Sequence, residues 1–195
     1  LKRCLVGSEM CIRDSIKPAS IILLVIVVAS LPFLQDSVND EAAKFVSDSE
    51  SSHDGLPTEW EDRQVICIFF PESNPHPEFS TGVTMIDPDG ETIGVNDALN
   101  STGACVGGFE GYEHGMDFMM DATRVAGGLL SVGYTMDPNW GPFVHTIGGL
   151  NVDEVQGDFN GAYWSLSHNG EYSMVGIGDL TMSQGDVISW DIATW

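Results

Sequence analysis

The chain has 195 residues, enough for one ordinary domain plus extensions. It carries 29 acidic residues against seven lysines and arginines, a formal net charge of −22. Such a surface repels phosphate backbones, which excludes nucleic acid as a partner and leaves solubility, cation binding or the steering of a basic ligand as its uses.

Leu1 to Ser15 has neither hydrophobic periodicity nor turn chemistry. It resembles the translation of a sequencing adapter, and residues 1–15 are set aside from fold reasoning on that ground. Without residues 1–17 the chain holds three basic and 27 acidic residues. Residues 16–35 form a hydrophobic segment, uncharged from Pro18 to Gln35, with Lys17 before it and Asp36, Asp40 and Glu41 after it. Its length lies between a signal peptide and a full span and favours an uncleaved transmembrane anchor over a cleaved signal. The charge step places the C-terminal bulk outside the cytoplasm, membrane-anchored or, after cleavage, secreted. Residues 36–62 are rich in Ser, Asp and Glu and read as an acidic disordered linker.

The folded domain is expected over residues 63–195. Gln64–Phe70 is β-prone and apolar on both faces, as a central strand should be. Thr81–Ile86 alternates, and Asp87-Pro88-Asp89-Gly90 is a turn that makes a β-hairpin. The acidic residues there fail the EF-hand pattern, because Thr92 and Ala98 stand where Gly and Glu are needed. Val95–Asn100 reads as a short helix. Asn100-Ser101-Thr102 is a glycosylation sequon, which makes Asn100 a candidate acceptor. Cys67 and Cys105 are free to form a disulfide in an oxidising compartment, or to remain a buried thiol and a loose one.

Met116–Ala126 has helical spacing and reads as an amphipathic helix packing on a sheet, with a methionine-lined ligand site as the alternative. Leu129–Tyr134 and Phe143–Ile147 read as strands around an Asp137–Pro142 turn. Asp153–Gly161 is an acidic loop. Tyr163–Ser167 alternates, Asn169-Gly170 makes a primed two-residue turn, and Glu171–Val175 returns. A second turn at Gly185-Asp186 leads into Val187–Ile192. The five histidines form no metal-ligand spacing and no serine lies in a nucleophile elbow. No enzyme, metal or cofactor is expected.

Four blocks carry a family resemblance: Val95–Leu99, Trp140–Leu150, Tyr163–Leu166 with Asn169-Gly170-Glu171, and Gly176–Leu180 with Gly185–Ile188. Together they resemble the transcobalamin-like C-terminal domain, a family of unknown function in prokaryotic surface proteins. The resemblance covers roughly residues 64–195, with 104–136 looking like an insertion. It implies an α+β fold: a ubiquitin-like β-grasp with a mixed sheet of four or five strands and one or two helices. In vitamin B12 carriers such a domain closes over a corrin held against a helical barrel, and no such barrel is expected here. The aromatic residues Trp140, Phe143, Tyr163 and Trp164 are the candidate ligand contacts. Strand alternation lets only one of Tyr163 and Trp164 face inward. The expectation is Tyr163 inside and Trp164 partly exposed. The implied function is a non-catalytic module that binds a small molecule, corrinoid-like, or a glycan. The alternative is a structural or protein-interaction domain of a surface complex. Sequencing the N-terminus of the mature protein separates anchor from signal: a start before residue 18 is expected, and a start just after Ser30 overturns the anchor.

Overall fold

The computed structural model describes residues 52–195. The adapter-like segment, the hydrophobic segment and most of the acidic linker lie outside the described residues. Among the described residues no helix is long and apolar enough to cross a membrane.

The fold is α+β, with a large mixed sheet, a small antiparallel sheet and one α-helix. The strands are β1 (Gln64–Phe70), β2 (Val83–Ile86), β3 (Thr92–Asn96), β4 (Thr102–Phe109), β5 (Val132–Asp137), β6 (Gly141–Ile147), β7 (Leu150–Asn151), β8 (Ala162–His168), β9 (Glu171–Tyr172) and β10 (Val187–Thr194). The helix α1 spans Gly115–Val125. The large sheet runs β3-β2-β4-β1-β10-β8-β9, and the small one β5-β6-β7. The large sheet therefore has seven strands rather than the four or five expected.

The apolar run of β1 explains its place. Six of its seven residues are buried, because both faces of the sheet are covered there. It lies parallel to β10 and antiparallel to β4. Ile66, Ile68 and Phe70 point to a front core with Phe118, Met119 and Ala122 of α1 and Val144 and Ile147 of the small sheet. Val65 and Cys67 point to a smaller back core with Val83, Met85, Cys105 and Trp60. The helix matches its expected span. Its buried stripe is centred on Phe118, Met119 and Ala122, and Asp117 and Arg124 are exposed. The methionine reading gives way to ordinary core packing at Met119, which is fully buried.

Several expectations are corrected. Val95–Asn100 is not a helix: Val95 and Asn96 end β3, and a single 3-10 turn follows at Asp97–Leu99. The Asn96 side chain caps that turn by accepting the Ala98 N–H, which stops the strand within one residue. Residues 104–136 are part of the domain core rather than an appendage, since they contain most of β4, which is hydrogen-bonded between β1 and β2, and the core helix. Leu56 and Trp60, inside the expected linker, pack on the back core, and Trp60 is almost wholly buried. Trp60 lies flat on Gly107, where an added Cβ would approach its ring to 2.5 Å.

Cys67 and Cys105 stand directly opposite on β1 and β4 and form a disulfide, with Cα atoms 4.0 Å apart. It closes a loop with a sequence separation of 38, which spans the whole β2–β3 hairpin. In the chain-entropy view such a cross-link is worth about 3–4 kcal/mol. The double substitution Cys67→Ala/Cys105→Ala should lower unfolding stability in urea by that amount. A loss below about 1 kcal/mol would show that strand packing alone fixes this pair.

Candidate functional site

Two turns at one end of the large sheet are tied together by side chains. Asn169 (φ 51°) and Gly170 (φ 82°) form the β8–β9 turn with both residues left-handed, a conformation that Asn and Gly reach at least cost. Asn169 then reaches across to the start of β10. Its Nδ2–H donates to Asp186 Oδ1 at 2.8 Å, and its Oδ1 accepts the Val187 N–H at 2.8 Å. Asp186 Oδ2 accepts the Ser183 N–H at 2.6 Å and lies 2.9 Å from His168 Nε2. The Asp186 carbonyl accepts the Val65 N–H at 3.0 Å, which joins the knot to β1. Burial pushes the Asp186 carboxyl up, but hydrogen bonds from Asn169, Ser183 and His168 outweigh it. The net result is a carboxyl held below the usual carboxylate range.

The four aromatic candidates are not brought to one place. Trp140 and Phe143 lie on the β5–β6 hairpin and face solvent, Trp140 at 81% exposure. The hairpin tip is braced by Asp137, whose Oδ1 accepts the N–H groups of Asn139 (2.8 Å) and Trp140 (3.1 Å). Met136 pairs with Pro142 across the hairpin and is also exposed. Gly178 allows close approach here, since a Cβ would stand 2.6 Å from Pro142 Cδ. Gly176 lies against the Trp140 carbonyl, so the exposed Met174 and Val175 are carried beside the tip. All five of Met136, Trp140, Phe143, Met174 and Val175 are exposed, but Met136 stands opposite Pro142 and Phe143 opposite Thr135, so these two occupy opposite faces of the hairpin. The sequence reading found the aromatics and missed the methionines.

The orientation of Tyr163 and Trp164 is the reverse of the expectation. Trp164 is buried at 4% exposure; its Nε1–H donates to the Leu150 carbonyl at 3.3 Å, and its ring meets Phe70 edge-on at 5.9 Å. The cause is register. Trp164 pairs with Ile192 and Leu166 with Trp190, so this parity of β8 belongs to the front core. Tyr163 points to the back face, half-exposed, with its ring 5.7 Å from that of Trp195. Trp164 is a core residue and cannot be a surface ligand contact without unfolding β8.

The concave surfaces lie elsewhere. A cleft of about 570 Å³ is lined by Phe69, Pro71, Glu72, Asp97, Asn100 and Thr102, among others. Asn100 is exposed in a left-handed conformation at its rim, and Thr102 Oγ1–H donates to the Phe70 carbonyl at 3.2 Å. A smaller cleft of about 250 Å³ lies between Phe70, His76 and Gly148-Gly149. Burial lowers the His76 pKa against the pull of the Leu129 backbone and Glu78, and the ring stacks on Phe79 at 4.7 Å. Among the described residues no three His, Cys, Asp or Glu side chains are placed to hold a metal ion.

The architecture is thus that of a mixed α+β domain with an exposed aromatic hairpin. A family model described as a domain of unknown function (DUF4430) matches residues 116–194. The match begins in α1 and ends in β10, and it takes in the hairpin, β8 and the Asp186 knot. The comparison with curated proteins found no match. Among solved structures, one similar chain is a protein of Ruminococcus gnavus ATCC 29149, provisionally described as metal binding. It shares 11% identity over 69% of this chain and 99% of its own, with a TM-score of 0.43. Another is haptocorrin in complex with Cbi, at 15% identity and a TM-score of 0.36, over 67% of this chain. The match spans only 25% of the haptocorrin chain.

A carboxylate whose folded pKa is depressed contributes stability above its unfolded value and loses it as pH falls through the folded one. Stability should therefore decline as pH drops below about 4, and Asp186→Asn should be less stable at neutral pH with a shallower acid decline. Urea midpoints from about pH 7 to about pH 2 test this. A variant with the wild-type acid slope would remove Asp186 from the account.

Proposed function

We propose that the chain is a non-catalytic, extracytoplasmic binding module, tethered to a membrane through residues 18–35. Its domain takes a small molecule, corrinoid-like, or a glycan on the β5–β6 hairpin. The observation that carries this reading is the exposure of Trp140 and Phe143 on the braced hairpin. Flat aromatic groups held out by a braced turn have few rotatable bonds and lose little conformational entropy on contact with a ring or sugar face. A ubiquitin-like β-grasp accords with the parallel pairing of β1 with β10 at the centre of the sheet and with α1 packed on its front. An extracytoplasmic site accords with the Cys67–Cys105 disulfide, since such bonds persist in oxidising compartments.

The second reading is a protein-interaction domain of a surface complex. It is favoured by a different observation, the exposed apolar residues on the terminal strand β3.

A panel of corrinoids, porphyrins and glycans titrated into the full chain tests the first reading. Trp140→Ala should weaken binding by about 1–3 kcal/mol, with Phe143→Ala acting in the same direction. Trp164→Ala should instead destabilise the fold by about 3–5 kcal/mol. If every ligand bound by the wild type binds Trp140→Ala equally well, the hairpin is not the site.

A further inference from the structure

The large sheet ends in β3, and three features of that strand point to a partner. First, β3 is hydrogen-bonded to β2 on one side only. Its outer row of N–H and C=O groups has no strand partner among the described residues. Its chemistry does little to protect the edge: Thr92-Ile93-Gly94-Val95-Asn96 contains no lysine, no proline and no charge, and its one irregularity is a register shift that leaves Ile93 as an extra residue.

Second, the strand is apolar where it should be polar. Val95 stands opposite Thr84, on the face that holds Ile86 and the front core, and Ile93 is the extra residue between the Met85–Gly94 and Ile86–Thr92 pairs. Both are exposed, at 53% and 44%. Val95 continues the apolar front face beyond the part that α1 and the small sheet cover, with Ile93 beside it. A strand added outside β3 would bury them beside its own inward residues. On the other face, Gly94 has open space where a side chain would stand, so nothing there obstructs an incoming strand.

Third, the charge around the strand selects the occupant. Glu91 and Asp97 bracket β3, and both are exposed. Residues 52–195 hold 22 carboxylates and two arginines. Arg63 is already paired with Glu110, and Arg124 with Asp121 at 2.8 Å. A second copy pairing antiparallel about Gly94 would set Glu91 of each chain against Asp97 of the other, and like charges directly opposite are destabilising. Two such acidic bodies also repel at long range. An extended segment with basic residues at its ends meets neither cost.

We propose that β3 accepts an extended, cationic segment of a partner polypeptide as an eighth strand, with Ile93 and Val95 as its apolar contacts and Glu91 and Asp97 as its charge contacts. This deepens the protein-interaction reading by naming the strand and the chemistry of the partner. It is independent of the aromatic hairpin, and Trp140→Ala should leave it unchanged.

The test uses the full chain and a capped peptide probe, Lys-Thr-Val-Thr-Val-Thr-Lys, whose valines fall opposite Ile93 and Val95 when its lysines meet Glu91 and Asp97, with a Glu-ended version as control. Amide hydrogen exchange at residues 92–96 should slow about tenfold on adding the Lys-ended peptide, and much less with the Glu-ended one. Ile93→Lys/Val95→Lys should abolish the effect while leaving the urea midpoint near wild type, because both side chains are exposed. Glu91→Gln/Asp97→Gln should weaken binding about tenfold and reduce its salt dependence. Equal response to both peptides would overturn the charge selection. Protection of 92–96 in the chain alone would show the edge already covered. A dimer in sedimentation that Val95→Lys dissolves would give the edge to a second copy and overturn the proposal. Protection elsewhere on the chain would sink the edge and leave a protein-interaction role standing.

Discussion

The constraint on which the structure depends is the parallel pairing of β1 with β10. These strands are separated by more than a hundred residues, so their contact closes a long loop at an entropic cost that the neighbouring pairings offset. Each side of the pair carries its own fastening. On one side the disulfide holds β1 to β4 at Cys67 and Cys105. On the other, Asn169 and Asp186 hold the β8–β9 turn to the first residues of β10, and the Asp186 carbonyl accepts Val65 N–H at the start of β1. The register of the centre is thereby set at both neighbours. A slip of one residue in β10 would turn Ile188 and Trp190 away from the core and break three hydrogen bonds of the Asp186–Asn169 knot.

That register settles what each surface can do. With Ile66, Ile68, Ile188, Trp190 and Trp164 committed to the front, the front must be covered. Helix α1 covers one part of it and the small sheet the other. The small sheet spends its inward residues, Val144, Ile147 and Leu150, on this task. Strand alternation then obliges Phe143 to face out, and the turn carries Trp140 out with it. The back is covered mainly near β1 and β4, where Trp60 and Leu56 lie on Val65, Cys67 and Cys105. Beyond that cover, the β8 end shows Tyr163 and Trp195.

Local chemistry was readable in the sequence, and global parity was not. The Asn169-Gly170 turn, the Asp87–Gly90 turn and the all-apolar β1 follow from residues within a few positions of each other, and each lies where expected. Whether Tyr163 or Trp164 faces the core depends on the pairing of β8 with β10, since either choice satisfies alternation within β8 alone. The same holds for Val95. Its neighbours permit a helix, and pairing with Thr84 makes it a strand. Trp60 was hidden by acidic neighbours, because composition averages over the one residue that Gly107 makes room for. The Asp186 knot was missed because its members are 17 positions apart, and nothing in either turn announces the other.

The two exposed apolar features differ in what made them. Phe143 and Trp140 are outward because the fold used up the inward positions of a short sheet, so their exposure is a consequence of packing as well as a resource for contact. Ile93 and Val95 have no such origin. A hairpin at the end of a sheet with one polar face would be satisfied by Thr, Lys or Glu at both positions, and each would protect the edge better. Burial cannot account for apolar residues there, since neither is buried. β-propensity favours them, yet threonine shares that propensity and stands at the adjacent position 92. The acidic residues at both ends of the strand already keep like molecules apart, which removes the usual penalty for an uncovered edge. An edge that shows Ile93 and Val95 between acidic ends disfavours pairing with a like copy and favours a basic strand.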